Sequence, residues 1–521
     1  MKPRSRWIPL ALLLIVPAAA RAQFSPVGLP RGLFRLELGG EFRNADSRFR
    51  DGITEDIARS FTTRPLGSEF FPSLTASESQ LGQILGLSGY RLNVGRTTAN
   101  GLLNIGTTSI GVSYGLTSKI TLFANVPIVR TRMQLRLDFD SGGADAGFNP
   151  NDPVFGTGQG QIQTAAFFNE FTSALETLSA NLAAGVYDAN PAQWALAQQT
   201  KAKGTSWHNG LVTVFNDPDV PFVPTASSAT GGALTDSLTA LQATFDSLNV
   251  TGFTTLPALA ASRLSETDFE NLISNPAGPV RGFPLLDANL NLLGDIAAGL
   301  GWTVTDSWNR RGKRGGLRVA LSGTMRFPTG ARDRSDDFLD VGTGSGHFAA
   351  GLTATVDWGR GFLGSRLIAG YEYRFEGSEQ RRISTLSQPI AFANRLANVQ
   401  RRPGGLLDIS VTPFLRIAST LSLVGGVRLR RQGADRVGYA AASDSLPGID
   451  PSDLAVDSDW SITSFQAGLT YVSPSASDFS AGGFPVEASW TMEGPLAGSG
   501  GIVAKERVMR VQLRMYLRLF N

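Results

Sequence analysis

Period-two alternation of apolar residues with full charges is the feature that most restricts what this chain can fold into. Phe34, Leu36, Leu38, Gly40 and Phe42 alternate with Arg35, Glu37, Gly39, Glu41 and Arg43. Leu317, Val319, Leu321, Gly323, Met325 and Phe327 alternate with Arg318, Ala320, Ser322, Thr324 and Arg326. Near the end, Met509, Val511, Leu513, Met515, Leu517 and Leu519 alternate with Arg510, Gln512, Arg514, Tyr516 and Arg518. A strand points successive side chains to opposite faces, so each stretch has one apolar and one charged face. The pattern predicts strands near 32–43, 102–114, 119–137, 291–305, 316–327, 347–358, 362–375, 405–417, 420–431, 460–472, 484–493 and 504–520.

A soluble sandwich also alternates, but its polar faces meet bulk water. A membrane barrel turns its apolar face to lipid and its charged face to the lumen. Connection lengths favour the barrel. Those at 115–118, 306–315, 359–361, 418–419 and 473–483 are short, and those at 44–101, 138–290, 328–346, 376–404 and 432–459 are long. Short periplasmic turns opposite long external loops are the usual asymmetry of such barrels. On that topology Tyr114, Trp302, Trp358 and Tyr471 end their strands at the short-turn side, and Phe42, Phe327, Tyr373 and Phe375 at the other. They form two interfacial girdles. The expectation is an all-β fold, a transmembrane antiparallel barrel of about twelve strands with a large, partly helical external insertion.

Only 494–503 breaks the alternation of loop lengths. In the strand at 119–137 the apolar phase shifts by one residue beside Pro127, which predicts a β-bulge. Residues 44–88 read as polar and irregular. The insertion carries helical periods: Phe167, Phe168, Phe171, Leu175, Leu178 and Leu182 share one face, and Leu234, Leu238, Leu241, Phe245 and Leu248 another. Ser265 with Asp268 predicts a cap before Phe269.

The N-terminus reads as an export signal, with basic Lys2, Arg4 and Arg6, an apolar Leu10–Val16 run and Ala20-Arg21-Ala22 for cleavage. The expected organisation is a signal peptide at 1–22, N-terminal barrel strands with an external loop at 23–137, the insertion at 138–290 (lid, plug or subdomain), and C-terminal barrel strands at 291–521. Cleavage near Ala22 would remove four basic residues and no acid, so the basic isoelectric point gives no case for nucleic acid. With no cysteine, disulfides, thiolate metal sites and cysteine nucleophiles are excluded.

From about residue 110 onward the chain resembles the outer-membrane family named for a putative MetA pathway of phenol degradation. The likeness rests on Tyr114-Gly115-Leu116-Thr117 before a strand reaching Val126-Pro127, then Leu293-Gly294-Asp295-Ile296, Phe327-Pro328-Thr329-Gly330 and Val341-Gly342-Thr343-Gly344, in that order. The resemblance implies an outer-membrane barrel that moves small solutes, aromatic compounds among them, and no defined catalytic residues. The insertion at 138–290 is larger than that family suggests.

Catalysis finds little footing. Of two histidines, His208 lies in the insertion and His347 beside Ser345 and Asp340 in a loop. Asp333, Asp336, Asp337 and Asp340 cluster, as a solvated loop or a loose calcium contact would allow. Arg310, Arg311, Lys313 and Arg314 read as a solvated basic turn. No cofactor, resident metal, enzymatic activity or nucleic-acid partner is expected.

The predicted lumen is more informative. Arg35, Glu37, Arg43, Arg318, Arg326, Arg366, Glu372, Arg374, Arg416, Arg428, Arg430, Glu487, Arg510, Arg514 and Arg518 are expected to point inward, with Glu41, Asp295, Asp357, Asp408 and Glu493 as further acids. Fixed positive charge in a confined pore favours anionic or polar solutes. Alternatively the charges pair across strands and fill a narrow barrel. The functional expectation is an outer-membrane channel or transporter for small aromatic or anionic solutes. The alternatives are a non-transporting surface or adhesion barrel whose insertion binds a partner, and an outer-membrane hydrolase. Expected partners are outer-membrane lipid and lipopolysaccharide, the barrel assembly machinery and the small solute. The ending Phe520-Asn521 is out of phase with the apolar row, unlike the commonest assembly signal.

Overall fold

The computed structural model describes residues 28–62, 65–274, 287–307, 315–388, 395–418, 420–473 and 485–518. The signal peptide, the basic turn and the Phe520-Asn521 ending therefore lie outside the described residues. All twelve expected strands are present: β1 Leu33–Ala45, β2 Arg96–Gly115, β3 Ile120–Asp140, β4 Ile296–Asp306, β5 Gly315–Phe327, β6 Ala349–Arg360, β7 Leu363–Arg374, β8 Leu406–Arg416, β9 Leu421–Gln432, β10 Trp460–Val472, β11 Val486–Gly500 and β12 Arg507–Arg518. Each pairs antiparallel with its neighbours in the chain, and β1 closes the ring against β12, Glu41 opposite Arg510 and Leu38 opposite Leu513. Closure leaves no free strand edge. No helix of the described residues is long and apolar enough to cross a membrane.

The polarity is inside out. On β1 Arg35 is 1% exposed while Phe42 is 48% exposed. The same holds round the wall, with Leu352, Val427, Trp490 and Val511 exposed and Arg326, Arg374 and Glu493 buried. In water this arrangement forfeits burial of the apolar side chains and desolvates the charges as well. Against lipid it is the stable one. Trp302, Trp358 and Tyr471 are exposed at the short-turn end, and Phe42, Phe327, Tyr373 and Phe375 at the opposite end.

The bulge expected in β3 is not there. β3 keeps one unbroken register with β2, from Thr121 opposite Gly115 to Asp140 opposite Arg96. The phase shift has another cause: the strand leaves the lipid. Up to Ile128 its outward residues are apolar and its inward ones include Thr121 and Asn125. Beyond that, Val129 and Met133 point inward into a hydrophobic core while Arg130, Arg132 and Arg136 point outward and are exposed. β2 inverts at the same level, where inward Thr107, Ser109 and Ser113 give way to inward Ile105, Leu103 and Ala99. The extra residue beside Pro127 belongs instead to the next strand. A short strand, Ala288–Leu293, pairs with the upper part of β3 and β4 with its lower part, while Gly294 and Asp295 loop out between them.

The core above this line is a cap at the long-loop end. It combines α1 (Leu74–Leu85), α2 (Gly158–Ala183), α3 (Pro191–Phe215), α4 (Ala229–Ser247) and α5 (Glu266–Ser274) with the inner faces of the β2 and β3 extensions. The insertion shares one core with 45–105 and with Phe338, Leu339 and Val341. The two expected helical faces form α2 and α4, and Ser265 caps α5 through reciprocal bonds with Asp268. Residues 44–88 are more ordered than their polarity suggests: Ser47–Arg50 and Ile53–Asp56 pair, and α1 follows. The modest connection at 494–503 is likewise a strand extension, β11 running to Gly500 before Ile502–Ala504 pairs with Ser47–Arg50.

A lipid-facing wall makes a test that a soluble protein would fail. Val427→Arg, outward on β9, should cost about 2–4 kcal/mol of stability in phospholipid vesicles, read by tryptophan fluorescence. An exposed position on a soluble protein would change by under roughly 0.5 kcal/mol.

Candidate functional site: the charged barrel interior

Alternation carries the charged side chains into the barrel, where they meet in layers. Near the short-turn end, Arg514 Nε donates to Glu37 at 2.8 Å and its Nη1 to Glu487 at 3.3 Å. Arg35 Nη2 donates to Ser113 Oγ at 3.2 Å. On the opposite wall Arg366 Nε donates to Asp357 at 2.6 Å, and Arg318 Nε to Asp306 at 3.0 Å. Closer to the cap a chain runs round the wall. Arg43 donates to Glu41, Arg510 bridges Glu41 (2.6 Å) and Glu493 (2.7 Å), and Arg428 bridges Glu493 (3.1 Å) and Asp408 (2.6 Å). Arg326 and Arg374 share Glu372 at 2.7 and 3.2 Å, and Arg374 also donates to Gln432 at 3.0 Å.

Arg430 stands apart. Its nearest carboxylate in an ion pair is Glu506 at 3.9 Å, and its buried Nε has no hydrogen-bond partner. The Nε of Arg326 is likewise buried without one. A buried donor left unmade costs on the order of 1–3 kcal/mol. Arg416 sits apart from these layers, its Nη1 donating to the Gly361 carbonyl at 3.0 Å in the turn region. The Arg518 side chain lies outside the described set. Glu506 and Asp306 complete the layers and were not singled out in the sequence. Counting the even phase back from Arg510 would have found Glu506.

The lining is lopsided. The walls of β2, β3 and β4 present Thr107, Ser109, Gly111, Ser113, Thr121 and Gly301, with Asp306 as a charge at the short-turn end of β4. Between them and Arg510 lies a cavity of about 20 Å³, bounded by Glu41, Thr107, Ser109, Thr491 and Gln512. That holds about one water. Leu29 closes the short-turn end, buried with Leu33 and Tyr516, its N–H donating to Thr121 Oγ1 at 2.9 Å.

Three motif segments converge on Asp295, in the gap between Ala288–Leu293 and β4. Its carboxylate accepts from Gly330 N (3.1 Å), Ser345 N (2.8 Å) and Ser345 Oγ (2.7 Å). Thr329 Oγ1 donates to the Gly294 carbonyl and Thr343 Oγ1 to that of Leu293, each at 2.8 Å. Gly330 and Gly344 press so closely that a Cβ on the first would lie 2.6 Å from the Cα of the second. Asp295 thus ties the 328–346 loop to the wall and does not face the lumen layers.

Ser345, His347 and Asp340 do not assemble a catalytic trio. The Ser345 hydroxyl is spent on Asp295, the His347 ring approaches the Phe375 carbonyl (3.2 Å) and Glu379 (3.6 Å), and Asp340 accepts from the backbone of Arg334 and Gly342. The four loop aspartates also part ways, Asp333 pairing with Arg381 and Asp336 with Arg334. No group of residues suited to a metal occurs among the described residues.

No family model matches the chain, and no curated protein matches it. Among solved structures it is similar to an outer-membrane channel from Pseudomonas putida F1, at 9% identity over 94% of this chain and 97% of that one, with a TM-score of 0.40. The CymD monoaromatic hydrocarbon channel follows at 10% identity over 94% and 90%, TM-score 0.29. The Pseudomonas putida toluene transporter TodX matches at 12% identity over 97% and 93%, TM-score 0.24. Scores of this size fall short of a shared detailed topology, and the barrel rests on its own strand pairings.

Outside the wall, Gly377–Arg382, Leu396–Arg402 and Arg436–Tyr439 form a small sheet over a buried ion cluster. Burial pushes the Glu379 carboxyl up, but His347, Arg381 and Arg401 around it outweigh this and hold it well below the ordinary carboxylate range. A depressed carboxylate stabilises the fold above its unfolded pKa of about 4.3, and the contribution fades as pH falls through and below that value. Wild-type protein should keep this small sheet protease-resistant at pH 7 and 5 and lose resistance in stronger acid. Glu379→Gln should be more susceptible than wild type at pH 7, because Arg381 and Arg401 keep Asp333 and Asp435 but lose the carboxylate they share, whose charged hydrogen bonds are worth roughly 1.5–3 kcal/mol each.

Proposed function

We propose that this chain is an outer-membrane channel for small solutes, with anions favoured and the cap on the external side. The observation that supports it best is the set of buried arginine donors left without a hydrogen-bond partner in the interior, the Nε of Arg430, Arg326 and Arg35 among them. A carboxylate passing Arg430 offers its Nε an acceptor, and charge-assisted bonds of this kind are the strong ones. The hydroxyl and glycine wall opposite carries only small side chains, against which a solute's uncharged part would lie once the interior widens. An aromatic acid fits both halves, which agrees with the phenol-degradation resemblance. The cavity beside Arg510 has room for about one water, so a solute passes that point only when the interior widens. Opening then requires the Leu29 segment to leave its mouth and the cap to shift. Export with signal cleavage near Ala22, and insertion by the barrel assembly machinery, belong to the same reading.

In proteoliposomes, Arg430→Gln should lower flux of a small aromatic carboxylate relative to a neutral analogue by roughly tenfold, the worth of about 1.4 kcal/mol. An unchanged ratio would contradict the anionic preference, and absence of flux in the wild type would contradict the channel. A second reading, a surface barrel that binds a partner, is favoured by Trp194 and Leu196, both exposed on α3. It expects no flux, and surface binding that is lost in Trp194→Ser.

A further inference from the structure

The outer wall carries a feature that conduction does not use. Where the polarity of β2 and β3 inverts, side chains fall into level rows across the strands. The row still within the apolar belt reads Val511, Gly40, Thr108, Ile128 and Leu293. The next reads Met509, Phe42, Gly106, Arg130 and Asn291, and the one above it Arg507, Asn44, Asn104, Arg132 and Asn289. Two glycines leave the lower rows without side chains in the middle: a Cβ on Gly40 or Gly106 would meet nothing within 4 Å. The result is a groove of about 400 Å³, walled by Phe42, Ile128, Met509 and Val511, with Arg130 at its edge. That volume lies in the range of small-ligand sites.

The rim is basic. Arg130, Arg132 and Arg507 are exposed, and none of them enters an ion pair among the described residues. Of the carboxylates around the rim, Asp140 pairs with Arg96, Asp287 accepts from Gln134, and Asp46 accepts from Ser47 Oγ. Arg130 and Arg132 lie on one strand face, roughly 7 Å apart. Arg507 is three strands from Arg132 in the same row, roughly 14 Å away. Asn44 donates to Asn104 at 2.8 Å, fixing the polar row between them.

We infer that this groove is a binding site for a phosphorylated lipid, one acyl chain lying over Gly40 and Gly106 and the phosphates resting on Arg130, Arg132 and Arg507. The occupant follows from position. The groove opens on the lipid-facing belt, so hydrocarbon fills it, and the arginines sit at the headgroup level just above. Three cations spread over that distance match a lipid carrying more than one phosphate, because arginine takes phosphate oxygens in bidentate pairs. Placing that lipid in the external leaflet rests on the outer-membrane reading above. There the site would hold a diphosphorylated glycolipid and fix the rotation of the barrel in the bilayer.

The test is native mass spectrometry of the purified full-length protein in detergent, titrated with diphosphoryl lipid A, monophosphoryl lipid A and phosphatidylethanolamine. Wild-type protein should retain the diphosphoryl form at least tenfold better than phosphatidylethanolamine, with the monophosphoryl form between. R130Q/R132Q/R507Q should lose that preference, R130K/R132K/R507K should keep part of it, and Gly106→Phe, which fills the groove, should lower retention of every acylated probe. Heat-modifiable gel migration checks that each variant is folded, and Gly106→Phe carries the test if the triple glutamine variant is not. Equal retention of the three lipids by wild type, or wild-type retention by either of those two variants, overturns the site. Solute flux through R130Q/R132Q/R507Q should stay at the wild-type level. A failed lipid site therefore leaves the channel reading standing, and a failed channel leaves the lipid titration readable.

Discussion

Everything in this structure depends on closing a sheet whose charged face points inward. In hydrocarbon no water is available to satisfy a strand edge, so the last strand must find the first. Closure of β1 on β12 does this, and it simultaneously seals a dozen arginine and carboxylate side chains in a narrow interior. Those charges must then compensate one another, since an unpaired buried ion costs several kcal/mol. The layers around Glu37, Glu493 and Glu372 are the consequence. Compensation is thinnest at Arg35 and Arg430, whose ion pairs with Glu37 and Glu506 span 4.0 and 3.9 Å.

The same wall shows where the membrane ends. Inside the belt the inward face is polar and the outward face apolar. One residue beyond Ile128 the two exchange roles, since the strand then has water outside and the cap's core inside. The cap is therefore no detachable module: it shares Val129, Met133, Leu103 and Ile105 with the barrel's own strands. The Asp295 knot ties the loop after β5 into the gap between Ala288–Leu293 and β4, at the level of this crossover. Cap, knot and basic rim all gather where the environment changes.

Much of the barrel was legible because its signal is local and repeated. A period of two with arginine in every other place has few soluble explanations, and the loop lengths then fix which end is which. Misreadings came where a face changed its surroundings. The phase shift at Pro127 looks like a bulge when lipid is assumed on one side throughout, and as a change of environment when it is not. α3 escaped notice because most of its buried face is Ala197, Thr200, Gly204 and Gly210, small residues that allow close helix packing, and large apolar residues enter only at Leu211, Val214 and Phe215 in its last turns. α1 was hidden by Ser77 and Glu78 on its buried side, the latter accepting from Ser68 and the Leu92 backbone. Of the interior site, the inward phase was readable. Which charges pair was not, because Arg428 meets Glu493 only through strand order around a closed ring.

The wall of this barrel faces lipid with its apolar rows and its own interior with its charges, and spin labels can read that directly. The chain has no cysteine, so single cysteines can be placed along β9 from Ser422 to Arg430 and spin-labelled in phospholipid vesicles. Collision with oxygen dissolved in the bilayer should be high at 423, 427 and 429 and low at 422, 428 and 430. Loss of the period of two, or collision highest at the arginine positions, would contradict that orientation.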